Sequence, residues 1–173
     1  GRTQNLPIAG QLLNPAWSPD SKTLVLLRDP NSDNSPNMGS IPWYELVVMK
    51  HKNGQWVRQS VDFTVDTGIG FRAPKLHVYD GRIWWLSIGD TPDRSPSQSD
   101  WVSTDLRGKD WDVHLTFPGA VEASPSPDFT RIAYKLGHQA WVTALPQPGT
   151  YVELDPLPKF QLTDVVGDWL GWT

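Results

Sequence analysis

Oxygen-bearing side chains recur at alternate positions in the segment that begins at Asp29. Asp29, Asn31 and Asp33 follow the spacing of calcium-binding loops, in which carboxylate and amide oxygens surround the ion. The twelfth position of such a loop needs a bidentate Glu, and here it is Ser40. The segment therefore indicates a calcium site with an incomplete ligand set, and a polar hairpin loop is the alternative interpretation.

The triplet Asp66-Thr67-Gly68 matches the active-site triplet of aspartic proteases. Those enzymes pair two such Asp residues so that one proton is shared, and a homodimer could supply the second. The residues that follow the triplet belong to a strand of the repeat described below. We therefore interpret the triplet as a turn between two strands.

Tryptophan is abundant, with ten residues in 173. Trp43, Trp101 and Trp111 fall at strand starts beside loops, where an exposed indole could stack on a sugar ring or an extended peptide. Packing between sheets explains such positions equally well. Three other tryptophans fall at inner positions and are predicted to be structural: Trp17, Trp84 and Trp141.

Two long polar segments, residues 29–42 and 89–100, are predicted to lie on one face of the fold. Long loops in a compact repeat often carry binding contacts. The second segment contains Asp90 and Arg94, which we take as further candidate ligand-binding residues.

Composition excludes several classes of function. The net charge is −4 and the pI about 5.4, without the clustered Lys and Arg that a nucleic-acid partner requires. No apolar stretch approaches a bilayer span, so membrane insertion is not expected. There is no Cys and therefore no disulfide or thiolate metal site, and the His residues lack the spacing of a zinc pair: His51, His77, His114 and His138. Neither a nucleophile elbow nor a phosphate-binding Gly loop is present.

Short strand-like runs account for most of the chain. Several alternate apolar and polar residues, as residues 111–115 do, and Asn53-Gly54 and Asp80-Gly81 supply the turn chemistry of tight hairpins. Asp110 and Asp112 are predicted to lie on a solvated face. This pattern predicts an all-β protein built of antiparallel strands.

Residues 18–26 align without a gap on residues 126–134, two units of about 54 residues apart. A weaker copy lies between them, around residues 78–85. The chain thus divides into three units of about four strands each, at residues 14–64, 70–117 and 120–163. Residues 1–13 and 164–173 are predicted to be strands of adjoining units.

Residues 17–22 read Trp-Ser-Pro-Asp-Ser-Lys and precede an apolar strand, and residues 126–128 repeat Ser-Pro-Asp. This resembles the Trp-Ser-Pro-Asp-Gly-Lys repeat of TolB-type β-propellers, although Ser21 and Phe129 replace the usual Gly. The resemblance implies about three propeller blades and a periplasmic or other extracytoplasmic setting. Because such rings close with six or more blades, we expect a partial ring, a homodimer completing six blades, or an open array.

The motif specifies a fold and not a chemistry. From the sequence alone we expect a non-catalytic protein–protein interaction or scaffold module whose loops meet a protein partner, without a cofactor other than the calcium considered above. Two alternatives remain open. One is a carbohydrate-binding module that uses exposed Trp residues, and the other is the accessory propeller of a larger hydrolase.

Overall fold

The computed structural model describes residue 6, residues 8–29, 43–66, 73–88, 98–147, 149–154 and 157–164, and residue 172. Within these residues the chain forms fourteen β-strands and no helix, so none of them belongs to a helix that could cross a membrane. The strands form three sheets, each built around four antiparallel strands. The all-β, propeller-like fold class predicted from the repeats is confirmed, and the described residues form an open array and not a closed ring.

The first strand of the first sheet contains a bulge. Its order is β1 (Gln11–Trp17), β2 (Thr23–Asp29), β3 (Trp43–Lys52) and β4 (Gln55–Gln59), and β5 (Thr64–Asp66) pairs with the other end of β3. Asn14 has a φ of 48°, and its side-chain amide donates to the carbonyl oxygens of Ala73 and Pro74 at 2.7 and 2.9 Å. Because the bulge lets β1 continue through Asn14, residues 11–13 pair with β2, although the repeat pattern had placed them in an adjoining blade.

The repeated Ser-Pro-Asp motif forms the same turn twice. The Ser18 hydroxyl donates to Asp20 at 2.6 Å, and the Ser126 hydroxyl donates to Asp128 at 2.5 Å. In each turn a backbone amide two residues after the Asp also donates to its carboxylate. These hydrogen bonds hold the pKa of both carboxyl groups below the usual range. The motif therefore closes the hairpin between the first two strands of a sheet.

One short strand of the third unit pairs with the second sheet. The second sheet contains β6 (His77–Tyr79), β7 (Arg82–Ser87), β8 (Ser99–Asp105) and β9 (Asp112–Phe117), and the third contains β10 (Glu122–Pro125), β11 (Arg131–Leu136), β12 (Gln139–Ala144) and β14 (Lys159–Asp164). Residues 151–154 fall within the third repeat unit and would be expected to complete its four strands. Instead β13 (Val152–Glu153) pairs in parallel with β9, and β14 takes the outer place. Leu154 is buried in the cluster between the two sheets, which draws this segment towards the second sheet.

Apolar side chains fill the space between neighbouring sheets in two clusters. The cluster between the first and second sheets is mainly aliphatic and includes Val25, Leu27, Leu46, Val48, Ile83, Trp85 and Val102. The cluster between the second and third sheets is richer in rings and includes Trp84, Trp101, Phe117, Ile132 and Tyr134. Successive residues of β7 alternate between the two clusters, as expected for a strand packed on both faces. The second sheet is thus enclosed on both sides, like a blade inside a propeller.

Candidate functional surfaces and a buried polar network

The three tryptophans singled out for ligand binding occupy three different environments. Trp101 is fully buried, with its ring beside those of His77 and Trp84, so it offers no face to an external ligand here. Trp43 opens β3 and is 39% exposed. Trp111 precedes β9 in the second sheet, is 44% exposed, and packs one side of its ring on other aromatic side chains.

The predicted calcium and loop residues lie mostly outside the described part of the chain. Asp29 is the last residue of β2, whereas Asn31, Asp33, Asp90 and Arg94 fall outside the described residues. Within the described ranges, no group of three or more His, Cys, Asp or Glu side chains could hold a metal. The calcium site and the loop contacts therefore stay predictions. Of the protease-like triplet, Asp66 is the last residue of β5, and Thr67 and Gly68 lie outside the described residues.

The face of the first sheet that points away from the second sheet is apolar, and we call it the first outer face. It carries a cluster of buried side chains from β2 and β3: Leu24, Leu26, Val47 and Met49. Trp56 packs against this cluster, and Trp17 meets Trp56 edge-on at a centroid distance of 5.3 Å. Trp17 is 52% exposed, although its place in the repeat predicted a structural role.

The face of the third sheet that points away from the second sheet is called here the third outer face. Its centre is formed by Ala133, Ala140 and Val142. Beside Val142, on β14, Phe160 is 69% exposed, and the two line a groove of about 600 Å³. The indole of Trp172 donates to the carbonyl oxygen of Ser124 on β10, at 3.0 Å. Each end of the array thus carries a buried apolar cluster with an exposed ring beside it, Trp17 at the first outer face and Phe160 at the third.

A polar network lies at one end of the second sheet, between β7, β8 and β9. The Arg82 guanidinium donates to the Ser103 hydroxyl at 2.7 Å and to the Asp112 carboxylate at 2.6 Å. Ser103 in turn lies 2.8 Å from Nε2 of His114, and neither side chain is exposed to solvent. Burial lowers the pKa of His114; nearby Asp112 raises it, and Arg82 lowers it further.

Sequence reasoning missed this network. Its members are far apart in sequence, and His114 alternates with Asp112 in a run that suggested an exposed polar face. In the structure the pairing of β8 with β9 shifts register between Trp101 and Val102, so His114 is the extra residue of a bulge and turns inward. A signal that could have revealed it is the ability of Arg82 to pair with an acid on a neighbouring strand.

Solved structures provide a comparison for this chain. No family model matches the chain, and neither does any curated protein. A solved structure of a gluconolactonase from Xanthomonas campestris, described as important in glucose secondary metabolic pathways, is similar with a TM-score of 0.48 and 20% sequence identity. The similarity covers 83% of this chain and 40% of that one, so the chain spans less than half the length of the gluconolactonase.

This finding contradicts the expectation of a non-catalytic interaction module. That expectation treated a propeller-like repeat as a sign of a scaffold, whereas the similar structure is that of an enzyme. The repeat is therefore no ground for expecting the absence of catalysis. The lactonase activity belongs to the other protein, and at this level of identity no substrate or residue role is transferred from it.

Proposed function

We propose that this chain is the TolB-type propeller part of a larger hydrolase, in which further blades cover the first and third outer faces. The observation that carries the proposal is the apolar character of these two faces, with Trp17 and Phe160 more than half exposed on them. A large apolar ring left partly in water beside an apolar cluster is a position where other protein surface can pack.

The orientation of side chains in the repeat supports further blades as the occupant. Leu24 of the first outer face is equivalent in the repeat to Ile132, and Ile132 contacts the preceding sheet. Ala133 of the third outer face is equivalent to Val25, which contacts the following sheet. Each outer face therefore carries residues at repeat positions that contact a neighbouring sheet elsewhere in the chain. This is expected of propeller blades, which repeat around a common axis.

The energetics favour covering these faces. Burying a large apolar side chain contributes about 1.5–3 kcal/mol to the free energy of unfolding. Trp17 and Phe160 are more than half exposed, so each would contribute more if another surface covered it. The hydrolase part of the proposal rests on the TolB-type resemblance and on the oligopeptidases in which a propeller accompanies a catalytic domain. On this view the propeller would position or filter substrate, with a catalytic domain outside these residues.

A single substitution made in two contexts tests the blade packing. Phe160→Ser should change the free energy of unfolding of the 173-residue chain by less than about 0.5 kcal/mol, because the ring is largely in water. In the protein encoded by the complete reading frame it should cost roughly 3 kcal/mol, because the ring would then be buried. Val57 is 42% exposed and lies on the opposite face of its sheet from the first outer face, so Val57→Ser should be neutral in both proteins.

Three outcomes would contradict the proposal. Phe160→Ser could be neutral in both proteins, which would mean that nothing covers the third outer face. The 173-residue chain could form a dimer in light scattering that Phe160→Ser dissociates, in which case a second copy is the occupant. The complete protein could fail to hydrolyse every member of a panel of esters, amides and peptides, which would contradict the hydrolase assignment.

Carbohydrate binding is a second candidate, favoured by the half-exposed rings of Trp43 and Trp111. A pyranose face stacked on either indole would quench its fluorescence. Titration with a panel of soluble oligosaccharides should quench wild-type fluorescence, and Trp43→Ala or Trp111→Ala should abolish the effect. Unchanged fluorescence with every sugar would contradict carbohydrate binding and would not bear on the hydrolase proposal.

A further inference from the structure

Several buried polar atoms in the described residues have no hydrogen-bond partner, and they face the same interface. They are His77 Nε2, Ser99 Oγ, Trp101 Nε1 and His114 Nδ1 on the second sheet, and Trp141 Nε1 on the third. Trp101 belongs to the cluster between these two sheets, and Trp141 packs against that cluster. No such atom in the described residues belongs to the cluster between the first and second sheets.

This concentration calls for a physical explanation. A buried donor or acceptor without a partner costs about 1–3 kcal/mol, and native proteins contain few of them. The buried rings could instead have been Phe or Leu at no such cost. Small molecules that hydrogen-bond inside the interface would satisfy these atoms, as ordered water does for buried polar groups that lack a protein partner.

Three of these atoms belong to neighbouring side chains. Ser99 and Trp101 stand two residues apart on β8 and so point to the same face of the second sheet. The ring centroids of His77 and Trp101 are 5.7 Å apart. Rings at this distance are in direct contact, so a molecule that contacts both ring nitrogens would lie beside the pair and not between the rings.

We propose that His77, Ser99 and Trp101 form a binding site for a small uncharged hydrogen-bonding molecule, either water or a small hydroxylated solute. The indole N–H donates, the Ser hydroxyl donates or accepts, and a neutral imidazole nitrogen does either. Burial, with a smaller contribution from Lys75, lowers the pKa of His77 to about 4, so its imidazole is neutral near pH 7. None of the three side chains then offers a full charge to an ion.

Nuclear magnetic resonance tests this site directly, because Trp84 supplies an internal control. Trp84 is as buried as Trp101, but its indole N–H donates to the carbonyl oxygen of Tyr79 at 3.2 Å. In protein labelled with ¹⁵N-Trp, the indole proton of Trp101, assigned through Trp101→Phe, should show dipolar cross peaks to a bound molecule. Trp84 should show none. Absence of the peak at Trp101, or equal peaks at both indoles, would overturn the proposal.

A Ser99→Ala variant guards against a false signal. Proton exchange between the Ser99 hydroxyl and bulk water could mimic a bound molecule, and the variant removes that hydroxyl. Because Ser99 is one of the three proposed contacts, the Trp101 cross peak should weaken in Ser99→Ala but persist through His77 and Trp101; complete loss of the cross peak would overturn the proposal. The frequency of the cross peak distinguishes the two sources. In protein as purified, a peak at solute frequencies identifies a hydroxylated solute. After refolding in solute-free buffer, a peak at the water frequency identifies water.

Discussion

Nε2 of His114 lies 2.8 Å from Oγ of Ser103, and both side chains are wholly buried. The Ser103 hydroxyl accepts from Arg82, and whether it donates to or accepts from His114 depends on which imidazole nitrogen carries the hydrogen. A Ser–His contact of this kind is found in nucleophilic catalysis, but here it lacks access for a substrate. The contact fixes the bulge in β9 and the Arg82 side chain.

Ser103→Ala should lower the free energy of unfolding by about 2 kcal/mol, because it leaves Arg82 Nε and His114 Nε2 buried without this partner. Urea denaturation monitored by Trp fluorescence measures the change. Combining Ser103→Ala with His114→Leu should cost less than the sum of the two single changes, because the two side chains are coupled. Strict additivity would mean that the contact has no energetic role.

Stability should fall as the pH is lowered from 6.5 towards 4. Burial lowers the pKa of His77 from 6.5 to about 4, so in this window the unfolded chain binds a proton that the folded chain does not. The contribution of His77 is present above pH 6.5, and roughly 3 kcal/mol is lost by pH 4. The pKa of His114 is lowered as well, so it acts in the same direction. Equilibrium unfolding at pH 7.5 and 4.5 measures the loss, and His77→Gln should reduce it; equal stability at both pH values would contradict this assignment.

Glycine at the same turn position of the two Ser-Pro-Asp motifs should have opposite effects. Ser21 and Phe129 both have left-handed backbones, with φ of 57° and 56°. Ser21→Gly should stabilise the protein by about 1 kcal/mol, because the strain of the side chain is removed. Phe129→Gly relieves the same strain but loses a ring stacked on Tyr79 at 4.1 Å, so it should cost about 2 kcal/mol. Thermal unfolding of the two variants provides the comparison, and stabilisation by both would show that the stacked ring contributes little.

Gly108→Ala should be much more costly than Gly137→Ala. Both glycines have positive φ, 74° and 56°, but a Cβ on Gly108 would overlap the side chain of Phe63 and one on Gly137 meets open space. We expect roughly 3 kcal/mol or more for Gly108→Ala and about 1 kcal/mol for Gly137→Ala. Chemical denaturation tests this, and similar costs would mean that the loop at Gly108 can move away from Phe63.

Local chemistry made much of the fold predictable. Asn53-Gly54 and Asp80-Gly81 were predicted to form tight hairpins, and all four residues have the positive φ that such turns need. The Ser-Pro-Asp turns follow from side chains within three residues of one another. These features depend on neighbours in sequence, which a single sequence displays.

Features that depend on distant neighbours were not predictable. Residues 151–154 suggest a strand, but nothing in their local sequence indicates that β13 pairs in parallel with β9, which lies in another unit. The inward turn of His114 depends on a register shift between two strands. The exposure of Trp17 depends on which surfaces meet in space, and the repeat only identifies its position in the hairpin.

The crossing of β13 from the third unit to the edge of the second sheet also limits how such repeats can be recombined. A unit cut at its sequence boundaries would leave β9 without its edge partner and would carry a segment whose partner had been left behind. Deletion or grafting of the second or the third unit alone would therefore damage two sheets. The smallest transplantable module is the second and third sheets together, and gene-level shuffling in this architecture should favour breakpoints that keep this pair intact.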